Sequence, residues 1–221
     1  MIIMSDAGRV ALIDDDDAIL DSLQLYLRRK GFAVSCFASA NAFLKALKAL
    51  KAGTGFQCVV TDVRMPKMTG IELQRALAEH DPALPLIMIT GHGDIDMAVA
   101  AVKAGAFDFI EKPVDEGRLA ANIAEAIRQS RDRAADQRQL CELARRYGEL
   151  SDRQRQVVEL AVEGMSNKEI GARLGISPRT VEHYRESAME RLHASGFAEL
   201  IQMVVRLRAQ KALRSGQFSA T

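Results

Sequence analysis

The chain has 221 residues, 48% apolar and 27% charged, with a formal net charge of +1. That is ordinary soluble globular composition, long enough for two small domains. No apolar stretch approaches the roughly 20 residues that span a bilayer. The opening Met1-Ile2-Ile3-Met4-Ser5-Asp6 is too short and too acidic for a signal peptide. There is no internal repeat and no low-complexity segment. Residues 1–130 hold 14 basic and 17 acidic side chains, net −3, whereas residues 131–221 hold 16 and 12, net +4. An acidic first part suits a metal pocket and a basic second part suits a polyanion.

In chain order, the first part alternates strand-like and helix-like segments. Strands are expected at 9–14, 33–37, 57–61, 85–89 and 107–110. Helices are expected at 17–30, 39–52, 69–80, 94–104 and from 115 onward. Leu20, Leu23 and Leu27, then Phe43, Leu44 and Leu47, recur at helical spacing. Gly31 and Gly53 stand where left-handed caps end helices. Such alternation implies right-handed crossovers and a parallel sheet covered by helices on both faces. The fold class is therefore a doubly wound α/β domain followed by an all-α region.

From Glu116 to about Tyr147 the chain is rich in Ala, Arg, Gln and Leu, with no proline, which predicts one long helix. Leu119, Ile123, Ala126, Ser130, Arg133, Gln137, Leu140, Ala144 and Tyr147 step at heptad spacing, but the middle of the series is polar. A solvated linker helix fits this better than a dimeric coiled coil. Gly148 ends it. Four helices follow, at 152–164, 167–174, 178–192 and 197–211. Ser151 and Asp152 can cap the first, with Gln154 near a capping-box position. Asn167 can cap the second, and Ser177-Pro178 opens the third. The turn Leu174-Gly175-Ile176-Ser177 joins two helices in the helix-turn-helix pattern. Ile170, Leu174, Ile176, Val181, Ala188 and Leu192 would form a small core. Cys36, Cys58 and Cys141 lack metal-ligand spacing and read as reduced packing cysteines of a cytosolic protein.

Four polar patches follow the expected strands: Asp14 and Asp15, Asp62, Thr90, and Lys112. In an open parallel sheet, ligands sit outside the carboxyl ends of the strands, so these ends can converge. Clustered carboxylates repel unless a cation holds them, and Mg²⁺ (or Mn²⁺) suits oxygen donors. A lysine and a hydroxyl beside them suit a phosphoryl group on one carboxylate.

The stretches Ile13-Asp14-Asp15-Asp16, Thr61-Asp62-Val63-Arg64-Met65-Pro66, Ile89-Thr90-Gly91-His92-Gly93 and Ile110-Glu111-Lys112-Pro113 resemble the receiver domain of two-component response regulators, most nearly the FixJ-like ones. Leu150-Ser151-Asp152-Arg153-Gln154, Glu163 through Ile170, and Ile176 through Glu182 resemble the LuxR-type helix-turn-helix of the NarL and FixJ group. The resemblance implies a flavodoxin-like (βα)5 receiver with strand order 2-1-3-4-5. The domains would be an N-terminal extension (1–8), a receiver (9–128), a helical linker (129–148), a four-helix DNA-binding domain (149–213) and a flexible tail (214–221).

It further implies that Asp62 accepts a phosphoryl group from a sensor histidine kinase. Asp14, Asp15, Asp62 and the backbone carbonyl of Arg64 would hold the metal, with Asp16 and Asp17 turned outward to start a helix. Thr90, Gly91, Lys112, Phe109 and Pro113 would form the phosphoryl-binding and switch group, with a cis Lys112-Pro113 bond. Ile95, Val99 and Lys103 mark the face that would pair two receivers into a homodimer. Glu182, His183 and Glu186 would read bases, while Lys168, Arg173, Arg179, Thr180, Arg185 and Arg191 would contact phosphates, with Arg185 facing outward. RNA polymerase is a further partner, the location is cytoplasmic, and no enzyme activity beyond self-phosphorylation and self-dephosphorylation is expected. Two positions depart from the family pattern: Tyr184 stands where histidine is usual, and Gly196 where Ser, Asn or Thr opens the last helix.

Two other functions are weaker. An aspartate-nucleophile phosphatase wants a second acid two residues after the nucleophile, where this chain has Arg64, and no cap domain is inserted. A receiver working by protein contact alone would need a degenerate DNA domain, for which Tyr184 is the only sign.

Overall fold

The computed structural model describes residues 7–50, 55–91, 103 and 105–214. The chain forms two compact units, Met1–Arg133 and Ala134–Thr221.

In the first unit the described elements are β1 (Arg9–Ile13), α1 (Asp17–Arg29), β2 (Ala33–Phe37), α2 (Ala40–Ala49), β3 (Cys58–Asp62), α3 (Gly70–His80), β4 (Leu86–Thr90), β5 (Asp108–Glu111) and the start of α4 (Glu116–Gly148). The five strands pair in parallel in the order β2-β1-β3-β4-β5, as the resemblance implied. Because strand side chains alternate, each apolar run supplies both faces. Val10, Leu12, Val60, Ile87 and Ile89 pack with Leu20, Leu23 and Leu27 of α1 and Leu119, Ile123 and Ile127 of α4. Ala11, Ile13, Val59 and Met88 pack on the other face with Phe43 of α2 and Leu73 and Leu77 of α3. There Phe37, Phe43 and Phe56 form an aromatic group with ring centroids 5.4–5.8 Å apart.

Three strands end later than expected. Asp62 and Thr90 are the last residues of β3 and β4, not the first beyond them. Their backbones still pair, Asp62 with Ile89 and Thr90 with Glu111. Gly31 has φ 94°, the left-handed conformation that ends α1. The helix expected at 94–104 lies outside the described residues except at Lys103, which is helical and exposed, and Gly53 lies outside them too. Cys58 is buried and Cys36 half-buried, but Cys141 is exposed on α4, so packing does not account for it.

The second unit contains the end of α4, then α5 (Asp152–Val162), α6 (Asn167–Leu174), α7 (Pro178–Leu192) and α8 (Phe197–Arg214). Leu143 and Tyr147 of α4 pack on the cluster of Leu150, Val158, Ala188, Leu192, Leu200 and Val204. The later part of the expected linker is therefore part of this unit's packing. A second cluster holds Val157, Leu160, Ala161, Ile170 and Val181, with Leu174, Ile176 and Tyr184 against it.

Ser151 caps α5 in a capping box with Gln154, and Ser177 caps α7 with Pro178 at its first position. Ser166, not Asn167, caps α6: its hydroxyl accepts from the Glu169 amide while the Glu169 carboxylate accepts from Ser166. The box needs Glu or Gln three residues after the cap, and Glu169 meets that spacing from Ser166 only. Gly175 closes α6 at φ 68°, a conformation glycine adopts without a Cβ clash.

Gly171 packs against the turn so closely that a Cβ there would lie 2.7 Å from the Ile176 carbonyl oxygen. Gly171→Ala is expected to destabilise the helical unit by about 1–3 kcal/mol. The check is an earlier denaturant midpoint in tyrosine fluorescence, since the chain has no tryptophan and Tyr147 and Tyr184 both lie in this unit.

Candidate functional site

Asp14 follows β1 directly, Asp62 ends the adjacent β3, Thr90 ends β4, and Lys112 follows β5. Backbone bonds beyond the paired strands hold these ends together. The Asp14 amide donates to the Phe37 carbonyl at 3.2 Å, that of Val63 to Ile89 at 2.9 Å, and that of Lys112 to Thr90 at 2.6 Å. Asp14, Asp62 and Thr90 are all buried, at 2%, 5% and 3% exposure.

Lys112 Nζ lies 2.6 Å from Asp62 Oδ1 and 3.0 Å from Asp14 Oδ2. The second oxygen of each acid takes a backbone amide, Arg64 N to Asp62 Oδ2 at 2.6 Å and Asp16 N to Asp14 Oδ1 at 2.9 Å. Burial pushes the Asp14 carboxyl above its ordinary pKa, against the opposing pull of the Asp16 amide and Lys112. Burial also works to lower the pKa of Lys112, but its bonds to Asp62 and Asp14 outweigh this and hold it above the ordinary value. Of its two contacts, the ammonium is nearer to Asp62 than to Asp14.

Asp14 and Asp62 are brought together, while Asp15 is exposed. Among the described residues no three acidic, histidine or cysteine groups are placed to hold a metal ion. The donor set is one of hard oxygens, and two buried carboxylates share one ammonium, a net negative charge that fits a small divalent cation. Asp16 faces outward as expected and caps α1, its carboxylate accepting from the Ala18 amide at 2.9 Å. The Thr90 hydroxyl donates to the Gly91 carbonyl at 2.9 Å. A Cβ on Gly91 would meet nothing within 4 Å among the described residues. Phe109 is half-buried against the second sheet face, and the Lys112-Pro113 peptide is cis. Ile95 and Val99 lie outside the described residues.

Gly70 is a site residue that the sequence reading passed over. Its Cβ would lie 2.5 Å from the Asp62 carbonyl oxygen, so only glycine lets α3 start this close to the acid's backbone. A glycine after Thr69, the capping residue of α3, was the available signal.

On α7, Val181, Ala188 and Leu192 are buried, while Glu182, His183 and Glu186 are exposed. Lys168, Arg173, Arg179 and Arg191 are exposed as well, and Thr180 is half-buried with its hydroxyl 2.7 Å from that of Ser177. Tyr184 is packed against the smaller cluster, which explains how a larger ring than histidine is accommodated. Gly196 precedes α8, and its carbonyl accepts from the Leu200 amide at 3.1 Å.

Arg185 corrects the expectation of an outward phosphate contact. Its guanidinium bonds to Asn167 Oδ1 and lies 3.4 Å from the centre of the Phe197 ring. Burial lowers its pKa, partly offset by Glu182. Gln154, expected only near a capping box, has a second role: its amide nitrogen donates to Ser187 Oγ at 2.8 Å and ties α5 to α7.

Residues 10–124 match the model of the response regulator receiver domain, and residues 148–204 match that of bacterial regulatory proteins of the luxR family. The transcriptional regulatory protein FixJ of Bradyrhizobium diazoefficiens is 43% identical over 203 residues, which cover 92% of this chain and 97% of that protein. Full-length FixJ from B. japonicum superposes with a TM-score of 0.56 at 42% identity, covering 96% of this chain and 98% of that one. The response regulator StyR superposes at 0.74 with 34% identity, covering 90% and 99%.

Lys112→Gln removes the charge that bridges Asp14 and Asp62. Asp14 is then expected to bind a proton at higher pH than in the parent, since Lys112 works to lower its pKa and the substitution takes that pull away. Carboxyl carbon shifts followed through a pH titration by NMR test this, and an unchanged titration would contradict it.

Proposed function

Because the chain belongs to the two-component response regulators that join a receiver to a LuxR-type DNA-binding domain, we propose that phosphorylation of Asp62 switches its binding to promoter DNA. The family assignment carries a sensor kinase partner and DNA binding with it. The observation that supports Asp62 as acceptor is its buried carboxylate at the end of β3, held 2.6 Å from Lys112 Nζ. One of its oxygens bonds to phosphorus as the P–N bond of a phosphohistidine breaks, and the departing nitrogen keeps the bonding pair. Lys112 offsets charge on the transferring group.

Receivers use Mg²⁺ for this reaction. Asp14, Asp62 and the Arg64 backbone carbonyl would hold it, joined by Asp15, and it would neutralise phosphoryl oxygens. The phosphoryl group then adds negative charge to the pocket. That charge draws the Thr90 hydroxyl away from the Gly91 carbonyl, and Phe109 moves into the space released. The altered surface around 94–110 pairs two receivers through Ile95, Val99 and Lys103. Two DNA-binding units then occupy two half-sites. Mn²⁺ would substitute for Mg²⁺, RNA polymerase is a further partner, and the chain is no enzyme beyond transfer to and hydrolysis at Asp62. No helix among the described residues is long and apolar enough to cross a membrane.

Asp62→Asn is expected to take up no label from a cognate kinase or from acetyl phosphate, and chelation of divalent metal should slow labelling of the parent strongly. Light scattering on the same samples should report dimer only in the labelled parent. Label retained on the variant, or a fully labelled protein that binds DNA as a monomer, would each count against this scheme.

Base readout is assigned to Glu182, His183 and Glu186, and phosphate contact to Lys168, Arg173, Arg179, Thr180 and Arg191. Glu182→Ala should relax preference at one base pair, costing about 1–3 kcal/mol there. Lys168→Ala should weaken binding to all sequences alike and lower the salt slope by about one. Binding series over base-substituted duplexes at fixed salt separate the two, and equal losses on every duplex for Glu182→Ala would remove it from the readers.

A further inference from the structure

We infer that Arg185 is a positioning residue for DNA recognition, a strut that fixes the pose of α7 without touching DNA. This rests on the DNA-binding reading above. Arg185 lies near the middle of α7, Asn167 is the first residue of α6, and Phe197 is the first of α8. One side chain therefore joins three helices, bonding through its edge to Asn167 and stacking through its face on Phe197. Only a planar guanidinium offers both at once, since an ammonium has no face to stack. Phe197 also borders both small cores, so the strut is anchored in the body of the unit.

Pose matters because the candidate readers surround Arg185 along the same helix: Glu182 and His183 before it, Glu186 directly after. A helix of 15 residues rises about 1.5 Å per residue, so a tilt of about 5° moves its ends by about 1 Å. The hydrogen-bond window spans only about half that. Loss of the strut would blur base readout while keeping every phosphate-contacting cation, because ionic attraction reaches about 10 Å and tolerates a shift of about 1 Å that a hydrogen bond does not.

The test uses the full chain phosphorylated with acetyl phosphate and two duplexes: one that the parent protein selects from a randomised pool, and one of scrambled sequence and equal length. Arg185→Met and Asn167→Ala should each lower the selected-to-scrambled affinity ratio by roughly tenfold. The double variant should fall no further than Arg185→Met alone, as for partners in one contact. The slope of log affinity against log salt should stay that of the parent, and Arg185→Lys should fail to restore the ratio.

A slope reduced by about one, equal weakening on both duplexes and rescue by lysine would make Arg185 a phosphate contact and overturn the strut. A lowered melting temperature with the parent's ratio, measured where the variant is folded, would overturn it in favour of simple packing. A parent protein that selects no duplex would overturn the DNA-binding reading itself, an outcome distinct from the others.

Discussion

Asp14 and Asp62 share one ammonium, and the receiver half of the chain is arranged around that shared contact. Two carboxylates about 4 Å apart at an effective dielectric of about 20 repel by about 4 kcal/mol. Such a pair is tolerable inside a fold only with a cation between its members. Sheet order meets the requirement: β1 and β3 are neighbours, so their ends bring the acids together, and β4 and β5 carry the lysine alongside. Two acids to one ammonium leave the pocket net negative. The Thr90 hydroxyl, at the end of β4, donates to the Gly91 carbonyl.

The DNA-binding half works on a different physical basis. Its polar contacts lie between helices rather than in one pocket, with Gln154 on Ser187 and Arg185 on Asn167. Each sets the angle of α7 against a neighbour. Exposed cations supply attraction to a polyanion over a distance, but attraction does not choose a sequence. On the proposed readout, choice needs Glu182, His183 and Glu186 at fixed heights along the groove. The interior of this unit is therefore as much a part of recognition as its surface.

Much of this was legible in the sequence. Apolar runs ending in acids and a lysine gave the parallel sheet and the positions of Asp14, Asp62, Thr90 and Lys112, because strand periodicity and strand-end chemistry are local properties. The ends of β3 and β4 were misplaced by one residue because Asp62 and Thr90 read as polar loop residues, whereas neighbouring strands still pair with their backbones. Asn167 was taken for a cap because asparagine and serine cap about equally well, and only the acid at Glu169 distinguishes them. Arg185 was unreadable for a deeper reason. The ring that captures it comes twelve positions later on another helix. The direction of such a side chain is a tertiary fact, absent from any local pattern.

Phe197 touches both apolar clusters of the helical unit and the guanidinium on α7. These clusters are small, with six and five buried members. In a unit of this size, segments open locally at free energies below that of global unfolding. Fraying of the first turn of α8 withdraws Phe197 from both clusters at once and frees Arg185. The amide-exchange protection of α7 is thereby tied to that of a helix start lying after it in the chain. Proteolytic nicking or crowding near Ser195 and Gly196 would then be felt on the DNA-reading face before any loss of overall fold.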